Sequence, residues 1–276
     1  VRRVAISKDG LKLAFAGLLF NDLTETFRWI VKIFKKDSVT GKWDTSNPIE
    51  VVEEENSASP FESDAYVEIA LSGDGTALYV ANAKPKRIDN EEQPLAKVFV
   101  YREDFSFTSP VSFETLPTPD VNTGIGYYFA GLQVDVANDP SRAVVGIPYK
   151  REVLAYDLTT HQVLVFPNVG PDSHLGRSVA ISKDGTTIAA SAPGDNKIYI
   201  ARSSDFSTWS YEEILGTAAG ITTGNDLGSS LAINEDGTII AIGYKKHDAG
   251  GDRDKGSVTV MIKKNNAWGK LGQTLT

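Results

Sequence analysis

The chain predicts an all-β fold, a five-bladed β-propeller made of four-stranded antiparallel blades. Three observations carry that prediction. A two-strand pattern recurs five times, beginning at Val4, Val67, Leu132, Ser178 and Ser229. Each copy is a short apolar run, a turn on Asp-Gly at Asp9, Asp74, Asp184 or Asp236 (Asp-Pro at Asp139), and a second apolar run. Self-similarity at blade-sized spacing marks a repeat architecture, in which each unit covers its neighbour's apolar face. Finally, 24 Gly and 12 Pro among 276 residues, 41% of them hydrophobic, suit a large core interrupted by tight turns.

The last copy shows the elements most plainly. Ser229, Leu231 and Ile233 alternate with smaller or polar residues, the period of a strand. Glu235-Asp236-Gly237 makes the hairpin, where glycine takes positive φ without a steric penalty. Thr238 to Ile242 returns as a nearly continuous apolar strand, as expected when both faces are covered. After a polar loop from Tyr244 to Lys255, Ser257 to Ile262 forms a third strand. Asn265-Asn266 turns the chain, and Trp268 to Leu275 forms the fourth. The same template puts third strands at Trp29–Phe34, Lys97–Tyr101, Glu152–Asp157 and Lys197–Ala201. A large aromatic residue opens the fourth strand at Trp43, Phe107, Trp209 and Trp268, which reads as packing between blades. One domain is expected, with blades over approximately 1–55, 65–116, 130–167, 177–216 and 228–276.

The run from Ser178 to Pro193 resembles an FG-GAP repeat of the kind that builds integrin α-subunit propellers and many secreted microbial proteins. Leu175-Gly176 and Leu227-Gly228 stand where that family has Phe-Gly. Ala192-Pro193 and Ile147-Pro148 stand where it has Ala-Pro, and Gly256 to Val260 matches its Gly-x-Val-Tyr-Val strand. The match is good in copies four and five, fair in one and two, and poor in three. The resemblance implies a calcium loop after Ala-Pro. Asp248, Asp252 and Asp254 are the candidate ligands, since calcium needs several oxygens from clustered carboxylates. Arg253, Lys255, Lys245 and Lys246 crowd that loop with opposing charge, and its spacing departs from the family's.

A net charge of −8 disfavours nucleic acid, whose phosphates require clustered cations. No apolar run reaches the ~18 residues of a membrane helix, so no membrane insertion is expected. Cysteine is absent, which excludes disulfides and thiolate sites. The chain opens at Val1 without a leader-like segment and reads as a mature or trimmed product, extracellular or on the cell surface, and monomeric.

Antiparallel order alone sorts the loops by rim. Loops between second and third strands share an end with the blade-to-blade connections, and the Asp-Gly hairpins lie at the other end. Aromatic and cationic residues gather on the first of these rims. Arg28, Trp29, Tyr127, Tyr128, Tyr149, Arg151, His174, Tyr244 and His247 are therefore the candidate ligand-binding residues. The Asp-Gly end reads as short turns with few large groups. The expected function is a non-catalytic binding propeller for a small molecule, glycan or protein. One alternative is a glycan-cleaving hydrolase or lyase using loop carboxylates among Asp22, Glu25, Asp89, Asp120, Asp172 and Asp226. Another is a calcium-dependent adhesion module. No nucleophile elbow, HExxH or phosphate loop singles out a catalytic residue.

Overall fold

Asp-Gly turns flanked by apolar runs dictate hairpins, and hairpins are what the computed structural model contains. It describes residues 3–21, 26–52, 66–88, 91–102, 132–148, 150–157, 160–219, 227–245 and 256–275. Among these there are nineteen β-strands and no α-helix; a single turn of 3-10 helix spans Pro193–Asp195. The chain divides into two compact units, Val1–Val134 and Asp135–Thr276.

The first unit holds two sheets. One runs β1 (Arg3–Ile6), β2 (Lys12–Asn21), β3 (Thr26–Lys35), β4 (Ile49–Val52), each strand antiparallel to the next. The other runs β5 (Tyr66–Leu71), β6 (Leu78–Ile88), β7 (Glu91–Tyr101), three strands among the described residues. The fourth strand expected at Phe107 lies outside them. The second unit holds three four-stranded sheets. These are β8 (Gln133–Val136) to β11 (Thr160–Val163) through β9 (Arg142–Ile147) and β10 (Glu152–Asp157); β12 (Val179–Ile181) to β15 (Ser210–Leu215) through β13 (Thr187–Ala192) and β14 (Lys197–Arg202); and β16 (Leu227–Ile233) to β19 (Ala267–Lys270) through β17 (Ile239–Tyr244) and β18 (Ser257–Lys264).

The turn recurs atom for atom. The backbone N–H of Ser7, Ser72, Ala137, Ser182 and Asn234 donates to the carbonyl five residues on, at 2.8–3.0 Å. In four copies the side chain at that position also donates to the turn aspartate: Ser7 to Asp9, Ser72 to Asp74, Ser182 to Asp184, Asn234 to Asp236. Neighbouring turns are then tied through their backbones. Lys8 N–H donates to Gly73 O at 2.9 Å in the first unit. Asn138 donates to Lys183 at 2.8 Å and Asp184 to Glu235 at 3.1 Å in the second.

Each unit packs its own core. Ala14, Ile33, Ile69 and Leu78 anchor the first. In the second, β13 is buried along its whole length, with Ile188 and Ala190 in one cluster and Ala189 in the next. Glycine is required where sheets approach most closely. Gly176 has φ +90°, and a Cβ there would lie 2.8 Å from Glu152 O and 2.9 Å from Ile147 N. The preceding Leu175 is buried, and Leu227 before Gly228 repeats the arrangement. The Leu-Gly pairs therefore have a packing role. Two of the recurring tryptophans link sheets as expected. Trp209 Nε1 donates to Gln162 on β11, and Trp268 Nε1 donates to Glu212 on β15, in each case the fourth strand of the sheet before. Trp43 differs. It forms only an isolated bridge with Lys36, and β4 starts at Ile49, because Asp37 and Asp44 each cap a tight turn that holds the chain out of the sheet.

Candidate active site

Within each unit, sheets meet along their first strands: β1 packs on β5 and β12 on β16, while β12 also packs on β9, the second strand of the sheet before it. Because the turns are equivalent, residues on these strands can be compared by their distance from the turn aspartate. Four positions before it stand Ala5, Ala70, Asp135, Ala180 and Ala232. Four copies keep a methyl group and one carries a carboxyl. Asp135 Oδ2 accepts the Ile181 N–H at 3.0 Å, and Oδ1 accepts the Val136 N–H at 2.9 Å. Lys183 Nζ lies 4.0 Å from Oδ1 and donates to Val136 O at 3.1 Å. Burial pushes the Asp135 carboxyl above its ordinary value, against the pull of the Lys183 ammonium and the two N–H groups. Its side chain nevertheless keeps 30% of its surface exposed. A carboxyl that is half-shielded, raised in pKa and paired with a cation suits general acid–base work, with the cation available for developing negative charge.

A second carboxyl stands on a first strand of the other unit. Glu68, six residues before its turn, takes the Nε–H of Arg3. Burial pushes Glu68 up as well, and Arg3 offsets this only in part. Neither Glu68 nor Asp135 was singled out by the sequence reading. The signal that finds Asp135 is the alignment of the five copies on their turn aspartates.

Of the residues expected on the loop rim, Arg151 and His174 stand in described loops. Arg151 donates to the carbonyl of Pro171, three residues before His174, and both are exposed. That rim is built by unusual backbone. Arg151 (φ 59°), Asn168 (φ 57°), His174 (φ 52°) and Asn196 (φ 52°) all sit in the left-handed region, uncommon for residues other than glycine. Asp195 fastens the segment: its Oδ2 accepts the Gly170 N–H at 2.9 Å and lies 3.0 Å from the Tyr199 hydroxyl. Tyr244 departs from expectation. It closes β17 with its ring in the core, 2% exposed, so it presents no surface to a ligand. Its phenol is pushed up to about 12 by burial. Arg28 and Trp29 lie on β3, paired with Leu19 and Leu18. Tyr127, Tyr128, Tyr149, His247 and the candidate calcium ligands Asp248, Asp252 and Asp254 lie outside the described residues. Among the described residues no group of three or more His, Asp or Glu could hold a metal ion. Of the six loop carboxylates only Asp172 is described; it is exposed, and its carbonyl abuts Gly194. No described helix is long and apolar enough to cross a membrane.

No protein-family model and no curated protein sequence matches the chain. Solved structures do. The periplasmic gluconolactonase of Pseudomonas aeruginosa superposes with a TM-score of 0.62 at 13% identity, over 100% of this chain and 72% of that one. A putative 6-phosphogluconolactonase from Bacteroides uniformis gives 0.58 at 14% identity, over 100% and 71%. A second, from Bacteroides fragilis, gives 0.53 at 13%, over 100% and 71%. At such identity the likeness is one of fold, and it places the chain's all-β architecture with the propellers. It also corrects the functional expectation. These similar propellers are named as lactonases, one of them a periplasmic gluconolactonase, and the non-catalytic binding reading is set aside.

Proposed function

We propose that the chain is a hydrolase that opens the cyclic ester of a sugar acid. The observation that carries this reading is the likeness, across the full chain, to propellers named as gluconolactonase and putative 6-phosphogluconolactonase. Asp135 supports it with chemistry. As the carboxylate it takes a proton from a water molecule whose oxygen attacks the lactone carbonyl. The Lys183 ammonium stabilises the oxyanion that forms. The ring C–O bond then breaks, the leaving oxygen takes the proton, and the product is an open hydroxy acid. The substrate is a small molecule, the acting species a monomer, and the compartment extracytoplasmic, as the periplasmic neighbour suggests. The FG-GAP resemblance stays as a description of the repeat's turn and strand residues.

The test is proton release in a pH-stat from aldono-δ-lactones, corrected for spontaneous opening. Turnover is expected for the intact chain. Asp135→Asn should lower it by about 100-fold or more, the range of a lost general base. Lactone opening at the spontaneous rate across a panel of ring sizes and sugars would sink the proposal.

A further inference from the structure

The Asp-Gly end of the second unit, expected to carry only short turns, holds an open cleft of about 650 Å³ lined by Arg202, Thr238, Lys263, Asn265 and Asn266. Four of the five side chains offer free hydrogen-bond donors, Thr238 giving its hydroxyl proton to Asp236 Oδ1 at 2.6 Å, and no carboxylate is among the five lining residues. The two cations are held in place from behind. Arg202 Nη1 donates to Thr187 Oγ1 at 2.9 Å and Nη2 to Gly237 O at 2.6 Å. Its guanidinium carbon lies 5.8 Å from the centre of the Trp268 ring. Each terminal nitrogen keeps a second N–H, and the buried Nε has no hydrogen-bond partner of ordinary geometry. Glu212 lies 3.3 Å from Arg202 Nε and also pairs with Lys263, so one negative charge is set against two positive ones. A chain of net charge −8 thus carries a positively biased, donor-lined cleft.

Asn265 and Asn266 complete the wall. Both have positive φ, 49° and 62°, the conformation of a two-residue hairpin turn. The Asn amides match sugar hydroxyls, while the cations match an oxyanion. The volume falls in the range of small-ligand sites, and the prior anchoring of Arg202 limits the ordering cost of binding. We infer that this cleft binds a small polyhydroxylated anion, a sugar bearing a carboxylate or phosphate group. The inference does not rest on the hydrolase reading, and the lining shares no residue with the Asp135–Lys183 pair.

Isothermal titration of the intact chain with D-gluconate, D-glucose 6-phosphate, inorganic phosphate and D-glucose tests it. Gluconate or glucose 6-phosphate should bind, weakening as salt is raised, with glucose and inorganic phosphate at least tenfold weaker. Lys263→Gln should weaken binding by about tenfold, the loss of one charge-assisted hydrogen bond. Asn266→Asp, at an exposed turn, should abolish it by repulsion and guards against a folding defect in the first variant. Asp135→Asn should bind as the parent does, which separates this site from the proposed catalytic one. Heat from neither polyol anion, equal affinity for glucose, or binding indifferent to both cleft variants would overturn the inference. Inorganic phosphate binding as tightly as glucose 6-phosphate, with gluconate silent, would overturn its polyol part.

Discussion

Asp135 Oδ2 sits 3.0 Å from the backbone nitrogen of Ile181, so a carboxyl at a position that is alanine in the other four copies bonds to the first strand of the next sheet. That bond makes Asp135 a structural tie as well as a candidate base, and two substitutions separate the roles. Asp135→Ala restores the residue the other copies use. It should fold and lose about 1.5–3 kcal/mol, the usual scale of one hydrogen bond to a charged group. Lactone turnover should fall as far as in Asp135→Asn. Urea unfolding and pH-stat assays on both variants decide the matter. A variant that retains turnover would leave Asp135 with the tie alone.

Acid–base linkage gives an independent reading of the same group. Burial raises the folded pKa of Asp135 above its ordinary 3.8. The folded state therefore holds this proton more tightly than the unfolded state, and ionising Asp135 costs stability as pH rises from about 3.8 through the raised value. Asp135→Asn removes that cost. Its stability relative to the parent should thus improve over this window and stay flat above it. The turn carboxylates act oppositely. The Ser7 hydroxyl holds Asp9 below the ordinary range, and the Thr238 hydroxyl does the same for Asp236. Their contribution is present above pH 3.8 and disappears as pH falls through their lowered values. Chemical unfolding of parent and Asp135→Asn between pH 3 and 8 checks both signs.

Two buried tyrosines should respond differently to loss of the hydroxyl. Tyr199 lies 3.0 Å from the Asn168 carbonyl and 3.0 Å from Asp195 Oδ2. Burial and the neighbouring carboxylate hold its phenol well above the ordinary tyrosine range. Tyr199→Phe removes the one proton that this hydroxyl directs at the two acceptors and should cost about 1–3 kcal/mol. Faster hydrogen exchange should appear in residues 167–176, the connection this hydroxyl holds. The Tyr244 hydroxyl is buried and makes no hydrogen bond of ordinary geometry; its neighbour Thr259 is engaged with Thr274 at 3.0 Å. Tyr244→Phe removes a desolvated polar atom and should change stability by less than about 0.5 kcal/mol. Paired thermal melts compare the two, and equal losses would contradict the hydrogen-bond assignment.

These contrasts explain what the sequence disclosed. The first three strands of each sheet were legible because an apolar strand, a turn aspartate and a return strand are local features. The start of β4 was not, because Trp43 marks a strand only if Asp37 and Asp44 leave the intervening chain free to pair. Tyr244 was misplaced because a Gly-Tyr step at the end of an apolar run fits either a strand's last residue or a loop's first. The anion cleft was invisible for a different reason. Its lining comes from four separate places, the end of β14, the start of β17, β18 and the β18–β19 turn, which only the packing of two sheets brings together. Asp135 was within reach of the sequence, since its column is otherwise alanine, but a carboxylate on an alternating strand ordinarily faces solvent.

Gly176 of the Leu175-Gly176 pair and Gly10 of the first hairpin supply the last prediction, because they separate two ways in which a glycine can be required. Gly10, in the first hairpin, has φ +69° and nothing within 4 Å of where a Cβ would stand. Gly10→Ala meets only the conformational penalty of the left-handed region, about 1–2 kcal/mol. Gly176 has φ +90° and backbone atoms of β9 and β10 at 2.8–2.9 Å from the same point. Neither atom is the end of a flexible side chain, so Gly176→Ala must separate the third sheet from the chain entering the fourth. Its cost should reach about 4 kcal/mol, the range reserved for a few severe mechanisms. The loss should appear as a lower denaturant midpoint, with exposure of Leu175 and Val179 to solvent. If the two variants unfold at the same midpoint, close sheet approach is not what selects glycine after Leu175.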